Sequence, residues 1–242
     1  MKFYGVQVEE RREVGRYTVL RYRWLGAVEP GQFVMARPAG WPFALDPFLG
    51  RPFSLYDHDG EVASLLFEVR GRGTALLDRA EKIEVSAPLG RGFRVDPSHK
   101  AALLGGGVGI APLKALGRRL EERGVPHDVF LGFADAPTAG AAADFPGAHL
   151  ATMDGSVGTS GTVLDAVPDL AGYGSVYACG PNPMLAAIKR AVGGDRFCQL
   201  AVEERMGCGN GSCNGCVVPV RGGGYVRSCV DGPVFSAEAL AW

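Results

Sequence analysis

Four of the chain's six cysteines crowd near one end: Cys208, Cys213, Cys216 and Cys229. Their spacing is C-x4-C-x2-C-x12-C, with three thiols on one glycine-rich loop and the fourth from a later segment. This is the ligand order of a plant-type [2Fe–2S] centre. Four thiolates would neutralise and hold two irons. Gly207, Gly209, Gly211 and Gly215 would let the backbone curl so that N–H groups point at sulfur and tune its potential. Two other readings use the same residues. A structural zinc site favours pairs of C-x2-C knuckles separated by a longer loop. A pair of disulfides requires an oxidising compartment. Cys198 reads as a small buried hydrophobe.

A second kind of chemistry is carried by glycines. Gly105, Gly106, Gly107 and Gly109 follow the apolar run 100–104 and precede a helix signature, with Pro112 near the first helical position. Bare backbone at a helix N-terminus, with its N–H groups and positive dipole end, suits a nucleotide pyrophosphate. The pattern is not a strict G-x-G-x-x-G, because Pro112 stands where the last glycine would be. Cys179, Gly180 and Pro181 form a second turn of this kind, again between a strand and a helix. In a parallel sheet both turns would sit at the carboxyl edge, where ligands bind. Earlier in the chain, Arg51, Pro52, Phe53 and Ser54 combine a diphosphate clamp with a flat ring and a hydroxyl, followed by Gly71, Arg72, Gly73 and Thr74.

The elements that must position these residues fall into three regions. Residues 1–97 read as short strands with period-two alternation, as in 17–24, 32–36 and 64–69, separated by turn signals. This predicts a small antiparallel β-barrel. From residue 98 to 199 strands alternate with helices, which predicts an α/β unit on a parallel sheet. Residues 200–242 form a Cys- and Gly-rich lobe too small to hold together without a clamp, and so expected to need its metal to fold. The expected fold class is therefore multidomain α and β.

Composition sets the limits. The chain has 242 residues, 47% hydrophobic and 21% charged, enough to bury a core. A net charge of -1 and the absence of a long basic block argue against nucleic acid as a partner. The first residues lack an apolar h-region, and no apolar stretch is long enough to span a membrane. The expected compartment is reducing cytosol, where clustered cysteines bind metal or do redox work.

Taken as a set, these motifs occur in ferredoxin–NADP reductase order. The run from Glu203 to Cys216, with 229–235, resembles a narrower family, the electron-transfer subunits of type 1B dihydroorotate dehydrogenase. The resemblance implies an FAD-binding barrel, an NAD-binding α/β unit and a C-terminal [2Fe–2S] lobe. It implies FAD contacts at Arg51, Pro52, Phe53 and Ser54, at Leu66, Phe67 and Glu68, and at Gly73 and Thr74. The glycine loop, Asp154 and the Cys179 turn would border NAD as co-substrate. The partner would be an FMN-containing catalytic subunit, in a two-plus-two heterotetramer in the cytoplasm. Electrons would pass between that subunit and NAD through the cluster and FAD, in pyrimidine biosynthesis.

Met153 departs from the family, which often has a second acidic residue there, and Asp135 is a candidate for a ribose hydroxyl. The four histidines form no cluster, so the base for dihydroorotate oxidation is expected on the partner and no catalytic side chain is expected here. The alternatives are a reductase subunit of an NAD(P)H-linked hydrogenase or ferredoxin-coupled transhydrogenase, and a zinc-stapled interaction module.

Overall fold

The computed structural model describes residues 1–40, 48–194 and 196–242. Six strands close a barrel in the order β1-β2-β5-β4-β3-β6: β1 (Phe3–Val14), β2 (Tyr17–Arg23), β3 (Phe33–Pro38), β4 (Arg51–His58), β5 (Val62–Glu68) and β6 (Lys82–Ser86). The twelve-residue β1 closes it, pairing with β6 through its first half and with β2 through its second. Closure removes the exposed edges that an open sheet would present. Inward-facing Leu20, Tyr22, Val34, Leu55, Leu65 and Ile83 fill the interior. The region is not wholly β. A helix, α1 (Arg72–Arg79), follows β5 and buries Leu77 in the barrel core.

The second unit begins at β7 (Ala101–Gly106), followed by α2 (Ala111–Glu122), β8 (His127–Phe133), the short α3 (Ala136–Ala139), β9 (His149–Thr152) and β10 (Thr159–Ser160). Then come β11 (Ser175–Gly180), α4 (Asn182–Val192) and β12 (Phe197–Val202). Pro112 lies in the first turn of α2, and Leu113, Leu116 and Leu120 make its buried face, as their spacing predicts. Spatial order places β7 between β8 and β11, all parallel. The chain winds outward from β7 to β10, then returns to the other side of β7. That reversal is a topological switch point, and a crevice opens there at the carboxyl ends of β7 and β11.

The tail holds β13 (Val217–Pro219), β14 (Tyr225–Arg227), the one-turn α5 (Ser228–Asp231) and β15 (Val234–Ser236). It is joined to the sheet of the second unit. β15 pairs antiparallel with β12 and extends the same sheet. Val218, Phe235 and Leu240 are buried in one cluster with Leu200 and with Leu185 and Ile188 of α4. The tail thus has an apolar anchorage besides its four cysteines. The division expected between residues 199 and 200 falls inside β12.

The barrel and the sheet unit also share a core. Tyr17, Val19, Tyr56 and Leu66 from the barrel pack in one cluster with Leu103, Ile110, Leu113 and Leu116. A polar network flanks the seam. Arg12 contacts both carboxylate oxygens of Asp144, at 3.2 and 2.5 Å, and the Tyr56 hydroxyl donates to Asp144 at 2.6 Å. Arg118 of α2 grips Asp57 of β4 with two bonds of 2.8 and 2.6 Å. Burial alone would raise the Asp144 carboxyl, but the Arg12 and Tyr56 hydrogen bonds hold it below its ordinary value of 3.8. A carboxylate depressed on folding stabilises the protein above its unfolded pKa, and that contribution is lost as pH falls through the folded one. Asp144→Asn is expected to cost on the order of 2 kcal/mol at neutral pH. It should also flatten the loss of stability on acidification below about pH 4. Urea midpoints measured from pH 7 to pH 3 check both; an unchanged acid limb would remove Asp144 from the seam's energetics.

Candidate functional site

A cleft of about 260 Å³ lies where the barrel, the sheet unit and the tail meet. Its walls are Pro52, Phe53 and Ser54 from β4, and Leu66, Phe67 and Glu68 from β5, six residues that the resemblance implies for FAD. The rings of Phe53 and Phe67 sit 5.2 Å apart. Val108 and Ala111 close the cleft from the glycine-loop side, and Val202, Glu203, Glu204 and Met206 from the start of the tail. Sequence reasoning did not place these last residues in the site. The run from Glu203 to Met206 was visible only as a family marker, since nothing in its composition says that it crosses a cleft.

Arg51 does not line this cleft. Its guanidinium lies along the start of α1, where a Cβ on Gly73 would sit 2.3 Å from Arg51 Nε. It donates to the Leu49 carbonyl. The Thr74 hydroxyl accepts from the Gly71 and Arg70 amides at 3.2 and 3.0 Å, fixing the first turn of the helix. A guanidinium and a helix N-terminus therefore converge beside the barrel. Arg70 forms a 2.6 Å pair with Glu68 at the cleft wall.

The two glycine-bearing turns meet at the switch point. A Cβ on Gly109 would lie 2.5 Å from the Cys179 carbonyl oxygen, and one on Gly106 at 2.5 Å from Met184 Sδ. Gly105 is closed in by Ile110 and Leu113. These glycines let the turns after β7 and β11 press together, whereas a Cβ on Gly107 would meet the Tyr17 hydroxyl at an ordinary 3.8 Å. Gly180 and Pro181 continue the second turn into α4. Cys179 is buried with its Sγ 4.0 Å from Glu203 Oε1, and burial pushes both groups up. Asp135 lies two residues past the end of β8, where its carboxylate accepts from the Thr138 amide and caps α3. Asp154, in the turn after β9, is fully exposed and accepts from the Ser156 amide and hydroxyl. The histidines are engaged elsewhere: His58 with the Trp24 carbonyl, His99 with Asp96, His127 with the Val125 carbonyl, and His149 stacked on Phe130.

All six cysteines are free thiols, and Cys198 is buried in the sheet core. The four tail thiols fall into two pairs. The Cys213 amide donates to Cys208 Sγ and the Cys229 amide to Cys216 Sγ, each at 3.4 Å. The Gly215 amide donates to Cys213 Sγ at the same distance. Burial opposes ionisation of Cys208, yet the amides of Asn210, Cys213 and Ser212 outweigh it and lower the thiol to about 6. Burial and the adjacent Cys216 push Cys229 up to about 12. Two thiolates side by side are costly unless a cation lies between them. Two pairs with N–H groups aimed at sulfur suit a two-iron cluster. Cys216 and Cys229 face inward, packed with Phe33 and Met35 of β3, while Cys213 is exposed.

Comparison with known proteins agrees with this layout. The family model described as the iron-sulfur cluster binding domain of dihydroorotate dehydrogenase B matches residues 203–241. A dihydroorotate dehydrogenase B (NAD(+)) electron transfer subunit from Geobacillus thermodenitrificans is 41% identical, over 86% of this chain and 85% of its own length. The subunit of that name from Listeria monocytogenes is 38% identical, over 92% and 91%. Among solved structures, that of an NADH-dependent reduced ferredoxin-NADP oxidoreductase matches with a TM-score of 0.82 and 23% identity, over 98% of this chain and 90% of that one. At that identity the likeness speaks for the fold. The sequence relatives carry more, and on them this chain belongs to the family of dihydroorotate dehydrogenase B electron transfer subunits.

Proposed function

We propose that the cleft, the glycine crevice and the thiol quartet are three stations of one electron path. In this path the chain passes electrons between the catalytic subunit of a dihydroorotate dehydrogenase and NAD. One observation carries the reading. Phe33 and Met206 line the cleft and also pack against Cys216 and Cys229, so the cleft and the inner thiol pair share a wall. The outer pair reaches the surface at Cys213. Electrons entering at the crevice therefore have a continuous route outward.

When bound, FAD exchanges two electrons with a nicotinamide as hydride and a [2Fe–2S] cluster takes them one at a time. The protein's part is to hold, orient and dry these groups. In this proposal Pro52, Phe53, Ser54, Leu66, Phe67 and Glu68 sandwich the flavin, and Arg51, with Gly73 and Thr74 at the start of α1, takes the diphosphate charge. Gly105, Gly106, Gly107, Gly109, Gly180 and Pro181 border the pyridine nucleotide, with Asp154 at the rim. Burial keeps the Cys179 thiol protonated, which adds no charge where a nicotinamide ring would enter. Cys208, Cys213, Cys216 and Cys229 are the cluster ligands.

The partner, an FMN-containing catalytic subunit, would dock over the outer thiols. The exposed apolar side chains of Leu49 and Val230 flank the loop there, beside Gly207 and Gly211. A two-plus-two heterotetramer in the cytoplasm is the assembly proposed; the relatives' designation as electron transfer subunits supports the catalytic partner. No helix among the described residues is long and apolar enough to cross a membrane. The units proposed to do this work are residues 1–97 for FAD, 98–199 for NAD and 200–242 for the cluster.

Two outcomes are expected. Cys213→Ser, at the exposed ligand, should abolish the cluster's paramagnetic signal while NADH-to-dye reduction through FAD stays within about twofold. Loss of dye reduction with FAD still bound would contradict the order of stations. The chain alone should not oxidise dihydroorotate, and adding the co-purified catalytic subunit should produce NAD-linked turnover. A complex that reduces dyes with NADH but never turns over dihydroorotate would refute the assignment of the partner.

A further inference from the structure

Tyr17 is the first residue of β2, and the turn before it is held against the sheet unit. Gly15 packs so tightly on α3 and its flank that a Cβ there would lie 2.4 Å from the Pro137 carbonyl oxygen. The Tyr17 ring is 3% exposed, in one cluster with Ile110, Ala111, Ala139 and Cys179 of the sheet unit. Its partner across the strands is Glu68, a wall of the cleft. The hydroxyl points at the glycine loop, 3.8 Å from where a Cβ on Gly107 would be, and among the described residues beyond the loop's own backbone nothing else comes within 4 Å of that point. Gly107 has a φ of 56°, a left-handed conformation that glycine adopts without strain.

Among the described residues the Tyr17 hydroxyl has no hydrogen-bonding partner; it is not one of the buried unsatisfied atoms, so the oxygen at the tip of the buried ring opens to the crevice. The charged groups that face it are Glu68, Arg70, Asp135 and Glu203. Asp135 lies just past the end of β8 and Glu203 lines the cleft, so the hydroxyl has neighbours on both sides of the glycine loop. Burial, then Glu68, raises its pKa to about 12, so it remains a donor at neutral pH. A donor without a protein acceptor, set beside bare backbone at a topological switch point, fits an anionic ligand that lies alongside both.

We infer that Tyr17 reaches across from the barrel to donate a hydrogen bond to the diphosphate of the pyridine dinucleotide, making the barrel part of the nucleotide site. The inference rests on the proposed reading of the crevice as that site. It makes Tyr17 a binding residue for the nucleotide, distinct from the residues assigned to FAD.

The test is Tyr17→Phe in the FAD- and cluster-loaded protein, a change that removes one oxygen and keeps the buried ring. ADP-ribose, which carries the diphosphate but cannot accept hydride, is titrated by calorimetry beside NADH kinetics. Loss of one donor to a charged oxygen should weaken ADP-ribose about tenfold and raise the KM for NADH by a similar factor. The kcat, the FAD content and the visible spectrum should stay unchanged. Equal ADP-ribose affinity in the two proteins would overturn the role of Tyr17 alone. Loss of FAD from the variant would overturn it too, by assigning the hydroxyl to the flavin. Wild-type protein that binds no ADP-ribose would overturn the nucleotide reading of the crevice itself.

Discussion

Tyr17, Val19, Tyr56 and Leu66 leave the barrel and are buried among Leu103, Ile110, Leu113 and Leu116 of the sheet unit, and this apolar seam is what the site depends on. Fully burying a large apolar side chain contributes roughly 1.5–3 kcal/mol. An exposed ion pair contributes about 0–1 kcal/mol. The seam therefore outweighs the Arg118–Asp57 bridge, in which both side chains remain partly exposed. The ion pairs and the Asp144 network set the registration of the two units; the apolar contact holds them together. Because the cleft is made from both sides of this seam, a shift of one unit on the other would widen or close it.

The tail follows the same logic. A four-cysteine loop of this length cannot build a core, yet its thiols must be held beside the cleft. The fold meets this by taking β15 into the sheet and burying Phe235 and Leu240 against α4 and β12. The loop between these anchors is then laid on β3, where Met35 and Phe33 back the inner thiols. One pair of sulfurs faces the interior and the other includes an exposed thiol. That asymmetry is what a conductor between a buried donor and a separate protein needs.

Much of this was legible in the residues themselves. The α2 helix was marked by Pro112 and its leucine face, the barrel by alternating strands, and the thiol quartet by spacing alone. Strand β1 was not legible, because five consecutive charged residues, Glu9 to Glu13, hide the alternation that burial reveals. The true reach of β12 was hidden because the run 197–202 continues straight into the motif of the tail, with no turn signal at residue 200. The cleft walls at Glu203, Glu204 and Met206 come from sequence far from β4 and β5, and only the three-way junction brings them together. The same is true of Tyr17, whose position over Gly107 depends on how the two units dock.

The central claim is an ordered path from crevice to cleft to thiol quartet. Anaerobic stopped-flow mixing of NADH with the loaded protein, with freeze-quenched samples for electron paramagnetic resonance, tests it most directly. The account predicts that the flavin absorbance bleaches first and that the reduced-cluster signal grows at its expense. A cluster signal that rises before any flavin bleaching, or a flavin that bleaches while the cluster stays oxidised, would contradict it.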